Sequence, residues 1–413
     1  MTPNSATADL LERPGTGTAD PVFTGIGVTA PNGLGTDAWW SATLAGTSGI
    51  GPVTRFDAAG YPARLAGEVP GYDPVGRIPN RLLPQTDHMT RLALTAAEEA
   101  LADSGADLEQ FPEFSAGGFE FGQRELEALW SKGGQYVSAY QSFAWFYAVN
   151  TGQISIRHGL RGPSGVLVSE QAGGLDAVAQ ARRQLRKGSR LIVTGGVDGA
   201  ICPWGWTAQL AGGRLSTRDD PARAYLPFDT AADGHVSGEG GAILVLEGAE
   251  AARSRGARVY GRLSGYAATF DPAPGRAGAP GLRRAAELAL AEAGLAPDAI
   301  DVVFADAAGV PSLDLIEAEA IAGIFGPRGV PVTAPKTMTG RLAAGGASLD
   351  LAAALLSFRD SVLPPTVNVE QLAEGCELDL VTYRRPADAR AALVLARGYG
   401  GFNAAAVLTA PES

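Results

Sequence analysis

Two nine-residue stretches lying 189 residues apart, AEEALADSG (97–105) and AELALAEAG (286–294), share six identities and each closes on a glycine. A second pair, AGGLDAVAQARRQL (172–185) and AGGASLDLAAALLSF (344–358), repeats the AGG and LD elements in the matching place of each half. Ala and Glu are default helix fillers, so one such pair could arise by chance; two pairs in the same order point to a duplicated unit. Around them, Ala/Leu-periodic helices alternate with short apolar strands. PVFTGIGVTAPNGLG (21–35) reads as a strand closing in a Gly-rich turn, and helical TDAWWSATLAG follows it. MTRLALTAAEEALADSG (89–105) is a helix stopping at Gly105, the residue type that tolerates the left-handed turn past a helix end. FSAGGFEF (114–121) and IDVVFADAAG (300–309) follow the two repeats as strand-like segments, and GAILVLE (241–247) is a further strand. The expected fold class is α/β, with helices covering a largely parallel or mixed sheet. The expected divisions are a disordered tail at 1–20, a first half at 21–250 and a second at 251–413, joined near the polar helix GAEAARSRGA.

Composition narrows the function classes. The 55 glycines, well above the roughly 7 % of ordinary usage, suit a fold with many tight strand-to-helix turns. A net charge of -11 repels polyanions, so nucleic acid is not an expected partner, although an acidic carrier protein can still dock on a local basic patch. No window approaches the ~18 consecutive apolar residues of a membrane span, and residues 1–20 lack the basic and apolar regions of a signal peptide. Cys202 and Cys376 stand in unrelated contexts without metal-ligand spacing, so no disulfide, metal or cofactor is expected and a reducing cytoplasm fits.

The chemistry is expected where strands end and helices begin. GVLVSEQAGGLDAVAQARRQL places Gln171 between an apolar strand and an amphipathic helix, followed by the small residues Ala172, Gly173 and Gly174. Such an elbow aims a side chain at a helix N-terminus, where unpaired N–H groups stabilise negative charge. A carboxamide is not nucleophilic, however, so Gln171 cannot form an acyl intermediate. The plain alternative is a polar residue near a helix start.

PFDTAADGHVSGEGGAILVLE (227–247), FADAAGVPSLDLIEAEAI (304–321), APKTMTGRLAAGGASLD (334–350) and RGYGGFNAAAVL (397–408) follow that elbow in order. Together they resemble the β-ketoacyl synthases of the thiolase-like superfamily, over residues 20 to 410. Within that family the chain is most similar to the chain-length factors, or ketosynthase β subunits, of bacterial type II aromatic polyketide synthases. The runs VSAYQSFAWFYAVNTGQISIRHGLRGPSG (137–165) and EQAGGLDA carry that subgroup likeness. The resemblance implies a thiolase-like fold of duplicated halves in an α-β-α-β-α core. It also places a Cys at the position of Gln171 in working enzymes, and a His at each of the positions of Asp306 and Arg341. Condensation needs the thiolate and both imidazoles, and Asp or Arg offers no neutral donor-acceptor in their place. Asp314, Glu317, Lys336, GEG (238–240) and GYGG (398–401) match the family pattern and read as scaffold. His88, His158 and His235 read as packing or surface residues, not a displaced dyad.

The resemblance further implies a heterodimer with a Cys-bearing ketosynthase α subunit, fed by an acyl carrier protein that delivers malonyl units. The poly-β-ketone would extend into a tunnel at the subunit interface. Phe119, Gly122 and Leu126, in AGGFEFGQRELEALW (116–130), match its gates and fall on one face of a helical turn. The small Gly122 and the non-aromatic Leu126 point to a long product. The alternative in a second class is a malonyl carrier protein decarboxylase that primes synthesis with Gln in the Cys position.

Overall fold

The computed structural model describes residues 21–106, 119–146, 149–273 and 280–412. Its first half contains β1 (Pro21–Ala30), α1 (His88–Ser104), α2 (Phe119–Lys132), α3 (Gly173–Arg186), β2 (Leu191–Asp198), α4 (Pro203–Ala211) and β3 (Gly240–Gly248). The second half contains β4 (Gly261–Phe270), α5 (Gly281–Ala293), β5 (Val302–Phe304), α6 (Pro311–Phe325), β6 (Pro331–Thr333), α7 (Ala344–Asp360), β7 (Ala391–Gly398) and β8 (Phe402–Thr409). The 1–20 tail and the start of FSAGGFEF lie outside the described residues.

Strand order exposes the duplication. In each half the opening strand lies beside the closing strand, which lies beside the one before it: β1-β3-β2 and β4-β8-β7, all antiparallel. The halves join where β1 meets β4 through the pairs Val22↔Arg262 and Phe23↔Gly261. The second half continues from β7 into β5 and β6 as parallel neighbours.

Side chains alternate across a strand, and this alternation sorts the core into layers. Leu244 and Leu246 of β3, with Val394 of β7, face the central helices α3 and α7. Ile243 and Val245 turn the other way, onto α1, while Leu393 and Leu395 turn onto α5 and α6. Reading outward from the middle therefore gives helix, sheet and outer helix on both sides, the five-layer α-β-α-β-α order of the thiolase-like fold. The first repeated pair forms the outer helices α1 and α5, which end at Gly105 (φ 61°) and Gly294 (φ 67°). The AGG pair forms the two central helices. Their close approach requires the absence of side chains: a Cβ on Gly174 would lie 2.5 Å from Ser348 Oγ.

Two sequence expectations give way. FEF at 119–121 begins α2 instead of ending a strand, because Asp87 accepts the backbone N–H of Phe121 (2.7 Å) and strong helix formers follow. The apolar run at 165–168 before Gln171 pairs with no strand among the described residues, and Val168 is 72 % exposed. A strand needs a neighbour to take its backbone hydrogen bonds.

Candidate functional site

Gln171, Asp306 and Arg341 are far apart in sequence, yet they line one cavity of about 740 Å³. Each sits at the junction of a strand or loop with a helix, and each has a left-handed non-glycine residue beside it or two positions away: Glu170 (φ 52°), Ala307 (φ 51°) and Ala343 (φ 46°). Such backbone costs of order 1–3 kcal/mol per residue and persists only where the surroundings enforce it, which marks functional sites. Gln171 occupies a short 3₁₀ turn leading directly into α3 and is buried. Its Oε1 lies against Gly346 in the first turn of α7, where a Cβ would come within 2.6 Å.

Asp306 and Arg341 form a buried ion pair. Arg341 Nη2 donates to Asp306 Oδ1 (3.0 Å), and Arg341 Nη1 donates to the Asp306 carbonyl (2.7 Å). Arg397, at the end of β7, completes the arrangement. Its backbone N–H donates to Oδ1 (2.9 Å), its Nε to Oδ2 (3.2 Å), and its Nη2 to Glu317 (3.1 Å). Glu317 in turn accepts the backbone N–H groups of Asp306 and Ala307. Lys336 donates to the Ala305 carbonyl and pairs with Asp350 (2.6 Å). Burial alone would raise Asp306, but Arg341, then Arg397 and Lys336, outweigh it and hold the carboxyl well below its usual range. Arg341 shifts the opposite way, raised above its usual range: burial opposes its charge, and Asp306 overcomes that opposition.

The chemical consequence is direct. Both oxygens of Asp306 are engaged by fixed donors, so it is neither a base nor a proton donor near neutral pH. His235 also lines the cavity, and burial, followed by the Arg341 charge, pushes it down to about 3; it is a neutral imidazole. Asp198, pushed up to about 6 by burial, stands at the end of β2 on the same wall. Cys202 is the cap residue of α4, its Sγ accepting the Gly205 N–H (3.5 Å), and burial pushes it up. No thiolate is ready there.

The sequence pattern did not single out Arg397 or Asp198, and His235, expected to be a packing or surface residue, lines the cavity. Arg397 opens the GYGG run and Asp198 closes a strand, which are the available signals; what they face comes from segments distant in sequence.

The three positions expected to gate a tunnel lie along α2, and of them only Phe119 lines the cavity. Phe119 lines the cavity and meets Trp204 edge-on, with ring centroids 5.7 Å apart. Gly122 is buried beneath Trp145, where a Cβ would meet the indole Cδ1 at 2.6 Å. Leu126, half-buried one turn further along, is not among the residues lining the cavity. No helix among the described residues is long and apolar enough to cross a membrane.

Comparison with known proteins completes the site. Residues 20–252 match the model of the beta-ketoacyl synthase N-terminal domain, and residues 260–370 that of the C-terminal domain. The chain is 59 % identical over 402 residues to the tetracenomycin polyketide synthase ketoacyl synthase beta subunit of Streptomyces glaucescens, covering 94 % of this chain and 98 % of the relative. It is 57 % identical over 397 residues to the actinorhodin polyketide putative beta-ketoacyl synthase 2 of Streptomyces coelicolor, with 94 % and 98 % covered. The solved ishigamide ketosynthase/chain length factor superposes with a TM-score of 0.86 at 27 % identity, over 95 % of this chain and 99 % of that one. A type II polyketide synthase acyl-carrier protein in complex with its ketosynthase bound to the hexaketide gives 0.85 at 26 %, over 95 % and 99 %. With its duplicated halves matched across both domains, the chain belongs to the beta-ketoacyl synthase family, and these full-length relatives include a ketosynthase beta subunit.

Proposed function

We propose that this chain is the non-condensing, chain-length-determining subunit of a type II polyketide synthase, paired with a Cys-bearing ketosynthase α subunit in a cytoplasmic heterodimer. The observation that carries the reading is the site's closed polar chemistry: an amide at 171, and a buried carboxylate at 306 already engaged by Arg341 and Arg397. If positions 171, 306 and 341 correspond to the family's Cys and two His, every group that loads, decarboxylates and condenses is replaced. The decarboxylase alternative gives way for the same reason, and because the tetracenomycin relative is named as a ketoacyl synthase beta subunit. We take 21–250 and 251–413 as the two halves.

The surface favours a large partner. Trp130, Tyr136, Tyr140, Trp145 and Phe146 are exposed on and beside α2, far more aromatic surface than scattered apolar residues leave in water. The run at 165–168, unpaired among the described residues, leaves backbone groups that a second subunit can pair. The acyl carrier protein would deliver malonyl units to the α subunit, and the growing poly-β-ketone would extend into an interface tunnel gated by Phe119, Gly122 and Leu126.

Low side-chain volume at Gly122 and Leu126 then suits a product of about twenty carbons or more, since each two-carbon unit needs room in a closely packed wall. Gly122→Trp would displace the Trp145 indole, and Leu126→Phe would fill the next turn. In a complex co-expressed with its ketosynthase, both variants are expected to release shorter ketides, read by mass spectrometry. Unchanged length in both removes the gate assignment.

A further inference from the structure

We propose that Asp87 is a positioning residue that sets the place of α2, and thereby polyketide length. The inference rests on the gating role proposed above for that helix.

Asp87 is buried at the N-terminus of α1, and its two carboxylate oxygens serve two different helices. Oδ1 accepts the Met89 N–H (2.9 Å) and caps α1, while Oδ2 accepts the Phe121 N–H (2.7 Å) in the first turn of α2. First-turn N–H groups have no partner within their own helix. A single carboxylate therefore fixes the separation of a rigid core helix from the helix that carries Phe119 and Gly122. Core burial does this job for α1, where ten residues are buried. It does much less for α2, where only Phe121, Gly122 and Glu125 are buried.

Directional polar ties therefore hold α2. Besides Asp87, Gln123 Oε1 accepts the Trp204 N–H (2.8 Å), and Glu125 Oε2 accepts the Ser138 N–H (2.6 Å). The Glu125 tie leads to a surface segment and the Gln123 tie to the first turn of the short helix α4, whereas the Asp87 tie leads to α1, which packs against β1, β3 and β2. A helix advances about 1.5 Å per residue. A slip of even one residue would thus move Phe119 relative to the cavity it lines by a distance comparable to a ketide increment. A side chain that touches neither the cavity nor the aromatic cluster would tune the length of the chain.

The test uses the ketosynthase complex with Asp87→Ser and Asp87→Asn. Ser still caps α1 but is too short to reach Phe121, and Asn keeps one acceptor while turning an N–H₂ toward the other donor. Loss of one buried hydrogen bond corresponds to about a three- to tenfold change in the population of the clamped position. The expected result is a product distribution broadened or shifted by a similar factor, larger for Ser than for Asn, with complex assembly and malonyl consumption retained. A purely structural role would lower yield and melting temperature without redistributing lengths. Unchanged lengths in both variants, alongside shortened products in Gly122→Trp, would overturn the positioning role alone. Unchanged lengths in Gly122→Trp and Leu126→Phe as well would overturn the gating reading with it. Should Asp87→Ser fail to assemble, Asp87→Asn alone decides: redistribution supports the role and its absence overturns it.

Discussion

At Asp306, two guanidinium groups and a backbone N–H occupy both carboxylate oxygens, and Glu317 takes the neighbouring backbone donors. Such a buried group contributes to stability only as part of its network, because removing one partner leaves uncompensated charge away from water. Asp306→Ala would leave Arg341 without its carboxylate and Arg397 with Glu317 alone. A loss of about 3–5 kcal/mol is expected, read from the denaturant midpoint; a change below about 1 kcal/mol would show that the pair is not structural. The sequence made the residue types at 171, 306 and 341 plain, and their chemistry followed. That 306 and 341 would neutralise each other was not legible. The contact joins Asp306 to a residue 35 positions away and shares its carboxylate with Arg397, 91 positions away, and no local pattern encodes that meeting.

At the scale of elements, the outer helices and their glycine ends were legible because a helix writes its period and its stop into consecutive residues. Strand pairing is non-local, so GVLV looked like a strand although it pairs with none among the described residues. FEF alternates like a strand but is helical because Asp87 caps it from another element. Close packing is also encoded by glycine, in β1. A Cβ on Gly27 would stand 1.9 Å from the Ala96 carbonyl oxygen in α1, whereas one on Gly51 meets nothing within 4 Å. Gly27→Ala is expected to cost about 1–3 kcal/mol by forcing β1 and α1 apart. Gly51→Ala should be close to neutral, and equal thermal shifts for the two would refute the close-packing argument.

For the whole molecule, a repeated α/β unit was visible in two short pairs, and its five layers follow from strands that are apolar on both faces, one turned to the central helices and one to the outer helices. The proposed heterodimer follows from the family resemblance and not from any pattern within one chain; the exposed aromatics on and beside α2 and the unpaired run at 165–168 are the surfaces such a partner would cover. The central claim is that this subunit shapes a reaction whose covalent chemistry belongs to that partner. Intact-mass analysis of both subunits after incubation with malonyl carrier protein, together and apart, tests it most directly. The account predicts an acyl adduct on the ketosynthase α subunit, none on this chain, and no elongated product from this chain alone. An acylated form of the isolated chain that goes on to make a carbon-carbon bond would contradict it.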